Sequence, residues 1–308
     1  MKLPDALVRN LRDIHPHADV WLADLDDLIR HCEKRWQVRV TGLVPDLSYN
    51  VVAFAEGVDG APYILKLSPP NAEFSQEVAA LKLYDGDGIC RLIDADDAAG
   101  AMLLERLEPG VSLWRIDVRN AREDDLATRA AATLMPQLWR PVPDPRPFRT
   151  LESWSRSLPR YLNAYPNGGG PLPHPLLERA YDLLTDLLAH SDEGVLLHTD
   201  FHHGNIVSAT RQPHLAIDPK GIVGPRGYDV GSFLVNPKPA IHMAERSELE
   251  AVSKRRVALF SEMLGMSPQE VAAWGLVHAA LEMCWTLEDH GEGWEKSVEV
   301  GAILEGLL

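Results

Sequence analysis

Cysteine is scarce in this chain of 308 residues, with three in total. They are Cys32, Cys90 and Cys284, and none of them forms a CxxC pair or another metal-binding spacing. An odd number of widely separated cysteines gives no disulfide framework and no zinc site. Such cysteine usage is typical of a reducing compartment, so we expect a cytoplasmic protein.

Long apolar segments are also missing from the sequence. The first five residues contain no apolar core of a signal peptide. No uninterrupted apolar run approaches the roughly 20 residues that a membrane-spanning helix needs. We therefore expect a protein without a membrane partner.

Basic residues are fewer than acidic ones, with 30 Lys and Arg against 45 Asp and Glu and a formal net charge of −15. This balance argues against general binding of nucleic acid, which requires a basic face, and against docking on anionic lipid. It favours a cationic ligand. An acidic surface also serves solubility alone, and that interpretation stays open.

The remaining composition is that of a globular protein, with 45% hydrophobic residues. Strands are expected at 37–44, 50–56, 62–67 and 101–105, and helices at 18–36, 73–84 and 120–139. Asp59-Gly60 is a strong hairpin signal between two of these strands. We predict an α+β fold with a small β-rich lobe over 1–107 and a larger helical lobe over 108–308.

One segment carries the chemistry, with His198 and Asp200 followed by Asn205 five residues after the aspartate. Asp218 ends a strand-like run thirteen residues beyond Asn205. This spacing suits phosphoryl transfer, in which a carboxylate on a loop, here Asp200, accepts the proton of the attacking hydroxyl. An amide and a second carboxylate, Asn205 and Asp218, supply the hard oxygen ligands that Mg²⁺ prefers.

The same segment resembles the H-G-D-x-x-x-x-N loop of the aminoglycoside phosphotransferase superfamily. Together with Ala216–Gly221 and Gly227-Tyr228-Asp229, it is similar to the aminoglycoside/hydroxyurea resistance kinases, which include the streptomycin 6-phosphotransferases. The resemblance implies a two-lobed protein-kinase-like fold, ATP and Mg²⁺. It makes His198 a structural residue, and it places Thr199 where the family usually has glycine.

A lysine on a predicted strand points to the nucleotide. Lys66 lies between apolar neighbours, where its charge needs a partner. In kinase-like folds such a lysine contacts the α- and β-phosphates and pairs with a helix glutamate. Glu77 is the expected partner and Glu73, one turn earlier, the alternative. An edge-strand lysine with a solvated tip is the other interpretation.

Further nucleotide contacts are less clearly marked. The segment 46–50 joins two strands without a glycine, so Ser48 either contacts phosphate or belongs to an ordinary turn. The resemblance places the adenine against the backbone around Glu105 and Leu107. Asp229 is expected to stabilise the catalytic loop, and His202 and His203 could border the acceptor.

Acidic residues are concentrated near the C-terminus, where residues 270–308 contain eight acidic residues and one lysine. The candidate acceptor-binding residues are Glu282, Trp285, Glu288 and Asp289. Carboxylates that pair with guanidinium and Trp faces that stack on it would suit a cationic acceptor. A solvated acidic helix face with core tryptophans is the alternative.

The sequence thus predicts an ATP-dependent O-phosphotransferase acting on a small cationic molecule, with a streptomycin-like aminoglycoside first. Alternatives are a kinase of the same fold for hydroxyurea or an amino sugar, and a non-catalytic nucleotide-binding module. A protein kinase is disfavoured because Asp-Pro-Lys replaces Asp-Phe-Gly. The phosphorylated position and the choice between ATP and GTP stay open, and we expect a monomer or weak homodimer.

Overall fold

The computed structural model describes residues 2–45, 47–190 and 194–308. Contacts between residues divide the chain into two compact units, Met1–Gly110 and Val111–Leu308. Antiparallel sheets and helices occur together, as expected for an α+β protein. In the part of the chain that the structure describes, no helix is both long and apolar enough to cross a membrane.

The first unit is built on one antiparallel sheet of five strands. They are β1 (Val38–Leu43), β2 (Val51–Gly57), β3 (Pro62–Leu67), β4 (Leu92–Asp96) and β5 (Ala101–Glu105), in the order β1–β2–β3–β5–β4. The predicted hairpin turn joins β2 to β3. In it Gly60 has φ +79°, which glycine adopts without cost, and Asp59 accepts the amide of Ala61 at 3.0 Å.

Four helices belong to this unit, and the first three share an apolar core with the sheet. They are α1 (Asp5–Ile14), α2 (Ala18–Ala23), α3 (Leu25–Trp36) and α4 (Ala72–Tyr84). Leu11 of α1, Ile29 of α3 and Leu65 of β3 share one buried core. The single helix predicted over 18–36 is wrong, because Asp24, with φ −90° and ψ 0°, interrupts it.

The second unit is mainly helical. Its helices are α5 (Ala121–Leu138), α6 (Leu151–Trp154), α7 (Ser157–Ala164), α8 (His174–Ala189), α9 (Tyr228–Leu234), α10 (Lys238–Met243), α11 (Arg246–Leu264), α12 (Pro268–His290) and α13 (Glu295–Glu305). Every residue of α12 from Val271 to Cys284 is buried, because α8, α9, α11 and α13 pack around it. A helix that is apolar on all sides takes this central position.

Short strands lie around the loop of the second unit that contains Asp200 and Asn205. They are β6 (Pro109–Ser112), β7 (Arg140–Pro141), β8 (Arg149–Thr150), β9 (Val195–Leu197), β10 (Ile206–Ala209), β11 (His214–Ala216) and β12 (Ile222–Gly224). They form the sheets β11–β10–β6 and β7–β9–β12–β8. The loop that the sequence predicts to be catalytic, residues 198–205 and called the catalytic loop below, connects β9 to β10. β9 pairs with β12 and β10 pairs with β11, so a strand of a different sheet fixes each end of the loop.

Candidate active site

A buried carboxylate holds the first half of the catalytic loop. Asp229, in the first turn of α9, accepts the amide of Thr199 at 2.7 Å and the amide of His198 at 3.2 Å. The indole N–H of Trp139 donates to it at 3.1 Å. Burial raises the pKa of Asp229 to about 6, and the three donors act in the opposite direction. These contacts agree with the loop-stabilising role expected for Asp229.

Thr199 adopts a backbone conformation that favours glycine. Its φ is +64°, in the left-handed region that a β-branched residue rarely enters. Its side chain is buried, and its hydroxyl donates to the carbonyl of His198 at 2.7 Å. The threonine is thus accommodated by hydrogen bonds from its amide and its hydroxyl, which offset part of the strain.

Asp200 follows with a carboxylate that is 37% exposed. Its Oδ1 lies 3.5 Å from Nε2 of His202, and its Oδ2 lies 3.5 Å from Nδ2 of Asn205. Both distances are long for hydrogen bonds, so most of the accepting capacity of the carboxylate remains. The side chain is oriented and can still accept a hydroxyl proton.

His202 is oriented by its own loop. Its Nδ1 accepts the amide of Gly204 at 3.0 Å, so in the neutral ring the proton is on Nε2 and faces Asp200. Its ring also packs against Trp114, with 5.4 Å between the ring centroids. The sequence did not point to Trp114 as a neighbour of the loop. Trp114 lies 86 residues before Asp200, and no recognisable motif follows it.

His198 connects the loop to the segment that carries Asp218. Its Nε2 lies 2.8 Å from the carbonyl oxygen of Ile217, to which it donates, and its own carbonyl accepts the amide of Lys220 at 2.9 Å. Burial lowers the pKa of His198 to about 4, which keeps the ring neutral. The histidine therefore has a structural contact, as the resemblance implied.

The two predicted metal ligands lie on linked backbone. The carbonyl of Asn205 accepts the amide of Ile217 at 3.0 Å, which brings the next residue, Asp218, beside the loop. The Asn205 side-chain nitrogen donates to the carbonyl of Asp200 at 2.9 Å, so its amide oxygen is the atom left for a metal. An amide and a carboxylate fit Mg²⁺, which takes further ligands from water and substrate phosphates.

The described residues contain no cluster of three or more His, Cys, Asp and Glu side chains that could hold a metal by themselves. A site made by Asn205 and Asp218 is not a cluster of this kind, since one of its two ligands is the side-chain amide of asparagine. The metal role of the two residues stays a prediction.

In the first unit, a buried ion pair joins β3 to α4. Nζ of Lys66 lies 2.7 Å from each carboxylate oxygen of Glu77, and the residues are 5% and 7% exposed. Glu73, the alternative partner, is exposed one turn earlier. The structure therefore selects Glu77 as the partner, while the contact of Lys66 with nucleotide stays a prediction.

The other predicted nucleotide residues also belong to the first unit. Ser48 is exposed and its carbonyl accepts the side-chain amide of Asn10 at 2.8 Å; residue 46 of the same segment lies outside the described residues. Glu105 ends β5 and accepts the amide of Arg91 at 2.9 Å. Leu107, two residues later, is half-buried. The nucleotide contacts of these three residues stay predictions.

The four predicted acceptor residues share helix α12 but not one environment. Glu282 is buried and accepts from Lys238 at 2.8 Å and Ser297 at 3.2 Å. Glu288 pairs with Arg160 of α7 at 2.5 Å. The remaining two are Trp285, which is half-buried with its ring at the edge of Trp154, and Asp289, which is exposed.

A strand lysine paired with a helix glutamate, and a loop that carries an oriented aspartate followed by an asparagine, are the parts of a kinase-type phosphotransferase. The chain belongs to the aminoglycoside/hydroxyurea antibiotic resistance kinase family, whose model matches residues 35–290. This confirms the resemblance found in the sequence.

Two curated relatives are similar along most of the chain. A streptomycin 6-kinase of Streptomyces glaucescens is 30% identical over 296 residues, covering 94% of this chain and 92% of that protein. A hydroxyurea phosphotransferase of Kitasatospora aureofaciens is 31% identical over 278 residues, covering 89% of this chain and 76% of that protein.

Among solved structures, the choline kinase LicA from Streptococcus pneumoniae is similar, with a TM-score of 0.61 at 14% identity. The match covers 92% of this chain and 99% of that one and confirms the protein-kinase-like fold. With the family, these findings make the chain a small-molecule phosphotransferase that binds nucleotide and acts on a hydroxyl group.

Proposed function

We propose that this chain transfers the γ-phosphate of ATP to a hydroxyl of a small cationic acceptor, with a streptomycin-like aminoglycoside as the first candidate. The observation that carries the proposal is the half-exposed Asp200 carboxylate, which Asn205 and His202 orient without consuming its accepting capacity. The 30% identity to a streptomycin 6-kinase supports the acceptor class.

In the proposed reaction, the acceptor oxygen forms a bond to the γ-phosphorus as the bond between that phosphorus and the β,γ-bridging oxygen breaks. ADP leaves, and the hydroxyl proton passes to Asp200. Lys66, held by Glu77, binds phosphate oxygens. Asn205 and Asp218 would hold Mg²⁺, which neutralises charge on the phosphates when it is bound.

Ser48 and the backbone at Glu105 and Leu107 complete the proposed nucleotide contacts. For the acceptor, we assign the guanidinium contact to Glu288 first. Its side chain is 36% exposed and its partner Arg160 is 65% exposed, so the pair is weak and an acceptor cation can replace the arginine. Trp285 and Asp289 lie on the same helix, and Glu282 adds charge from a buried position.

A second candidate acceptor is hydroxyurea, because a hydroxyurea phosphotransferase is 31% identical to this chain. Hydroxyurea is neutral and small, so it would gain little from the carboxylate of Glu288. Charge dependence therefore separates the two acceptors. A Glu288→Gln variant should raise KM for streptomycin and leave KM for hydroxyurea unchanged.

The main experiment is release of ADP from MgATP in the presence of streptomycin or hydroxyurea, with Asp200→Asn as the test variant. Loss of the proton acceptor should lower kcat by about 10²- to 10⁴-fold. Asp182→Asn, the same change on an exposed residue of α8, is the matched control and should keep wild-type kcat. A fully active Asp200→Asn protein would contradict the assigned role.

Turnover with each acceptor and binding of ATP decide between the remaining alternatives. Turnover that depends on streptomycin supports the first candidate, and a lower KM for hydroxyurea supports the second. If ATP binds in calorimetry while an acceptor panel including amino sugars gives no turnover, the result favours a non-catalytic nucleotide-binding module over both acceptors. The phosphorylated oxygen would be located by phosphorus–proton correlation NMR of the product.

A further inference from the structure

A buried charged cluster contacts the second half of the catalytic loop. Arg256 of α11, Asp124 of α5 and the loop residue His203 are all fully buried. Nε and Nη2 of Arg256 donate to Oδ1 of Asp124 at 2.9 and 2.7 Å. Nη2 also lies 3.2 Å from Nε2 of His203. The prediction that His203 borders the acceptor is wrong, because this side chain faces the interior.

The donor pattern fixes the state of the histidine. A guanidinium only donates hydrogen bonds, so Nε2 of His203 must accept from Arg256, and the ring is neutral with its proton on Nδ1. The ring also stacks on Phe233 of α9, with 3.9 Å between centroids and 22° between planes. His203 is therefore held both through its edge and through its face.

Arg256 reaches the end of the same helix. Its Nη1 donates to the carbonyls of Phe233 at 3.2 Å, Leu234 at 3.2 Å and Asn236 at 2.6 Å. These carbonyls lie at and just beyond the C-terminal end of α9, where the regular hydrogen bonds of the helix stop. The N-terminal turn of α9 carries Asp229, which binds the amides of the first half of the loop. One short helix thus supports both halves of the loop.

We propose that His203 and Arg256 are positioning residues for the phosphoryl-transfer reaction, a proposal that rests on the function proposed above. His203 begins the turn His203–Asn205, so fixing its ring fixes the backbone of Asn205. Asn205 in turn donates from its side chain to the carbonyl of Asp200 at 2.9 Å. The cluster thereby acts on the predicted base and metal ligand without touching substrate.

Two substitutions of His203 separate its ring from its accepting nitrogen. His203→Phe keeps the stack on Phe233 and removes the acceptor, whereas His203→Gln keeps an acceptor for Arg256 and removes the ring. We expect kcat of His203→Phe to fall by about 10- to 100-fold, as a misplacement of about 1 Å does. KM for ATP and acceptor should change by less than about twofold. His203→Gln should recover most of kcat.

Arg255 provides the matched control, because it belongs to the same network but directs its hydrogen bonds to Asp124, Asp125 and Val118. Its Nη2 donates to Oδ2 of Asp124 at 2.8 Å and to the carbonyl of Val118 at 3.2 Å. Arg255→Gln therefore weakens the binding of Asp124 and lowers stability while leaving His203 paired. If positioning is the function of the cluster, this variant keeps wild-type kcat.

A readout independent of turnover is hydrogen exchange of the nucleotide-free protein. The amide of Asn205 donates to the carbonyl of His202 at 2.9 Å, and the amide of Thr199 donates to Asp229. In His203→Phe, exchange at Asn205 should accelerate by about tenfold or more, as local opening becomes easier, while Thr199 stays protected. Arg255→Gln should leave both amides as in the wild type.

Two results would overturn the proposal: wild-type kcat and wild-type exchange at Asn205 in His203→Phe, or an equal loss of kcat and protection in Arg255→Gln. If the wild-type protein phosphorylates no acceptor, the proposed function fails instead. The exchange comparison then still decides whether the cluster holds the loop, and unchanged exchange in His203→Phe would refute it.

Discussion

Variants of the buried pair Lys66 and Glu77 can separate the effect of the pair on stability from its effect on activity. Its two charges lie 2.7 Å apart and are almost fully removed from water. Taking either partner away removes the bidentate ion pair of the buried charge that stays, whereas taking both away removes the two charges together. The test set is Lys66→Met, Glu77→Met and the double variant, since methionine is unbranched like both side chains and carries no charge.

The expected magnitudes follow from this burial. Each single variant should lower the free energy of unfolding by about 3–5 kcal/mol, the usual cost of breaking a buried ion pair. The double variant should lie within about 1 kcal/mol of the wild type or above it, because the desolvation cost of both charges disappears. The coupling energy between the two positions should therefore be at least about 3 kcal/mol.

Activity should not follow stability in this set. If Lys66 binds nucleotide phosphates, the stable double variant stays at least about 100-fold below the wild type in kcat/KM for ATP. Urea unfolding followed by far-UV circular dichroism gives the stabilities, with each unit fitted separately if two transitions occur. A single variant that costs less than about 1 kcal/mol, or a double variant with wild-type turnover, would refute the reasoning.

Three further outcomes are expected. Burial lowers the pKa of His278 to about 4, below its unfolded value near 6.5. The protein is therefore most stable, with respect to this group, above pH 6.5, and it loses about 3 kcal/mol of unfolding free energy as the pH falls to 4. His278→Gln should remove this loss from urea unfolding curves. In Gly231→Ala the new Cβ would overlap the backbone carbonyl of Trp274, so the free energy of unfolding should fall by about 1–3 kcal/mol, and a smaller loss would contradict the close packing of α9 on α12. All three cysteines are buried, so a thiol reagent should label none of them in the native protein within minutes and all three in urea.

Most of the secondary structure was predictable because local signals and tertiary structure agree. The turn at Asp59-Gly60 and the helix ending at Leu138 follow from turn chemistry and apolar spacing. The break at Asp24 did not, because the apolar residues Trp21 and Leu25 remain at helical spacing on both sides of it. Periodicity reports which face is buried and does not detect a change of backbone angles at one residue.

The catalytic loop was predictable for a different reason. Asp200 and Asn205 lie five residues apart in one loop, so their relation is contained in the sequence itself. The support of this loop is not local, because Arg256 is 53 residues from His203 and 132 residues from Asp124. In the sequence, Lys254-Arg255-Arg256 has the pattern of a solvated basic face, and only the packing of α11 turns one of these arginines inward.

The acidic C-terminal region shows how composition can overstate the charge available to a ligand. Residues 270–308 contain eight acidic residues and one lysine, but Lys238 and Arg160 enter from elsewhere to pair with Glu282 and Glu288. The two pairs differ in burial. The carboxylate of Glu282 is 10% exposed, so removing Lys238 would take the ion-pair partner from a buried charge. The Glu288–Arg160 pair is open to water, so replacing Arg160 by a ligand cation costs little free energy. Selectivity for a cationic acceptor should therefore depend on the exposed pair, while the buried pair contributes to the stability of α12.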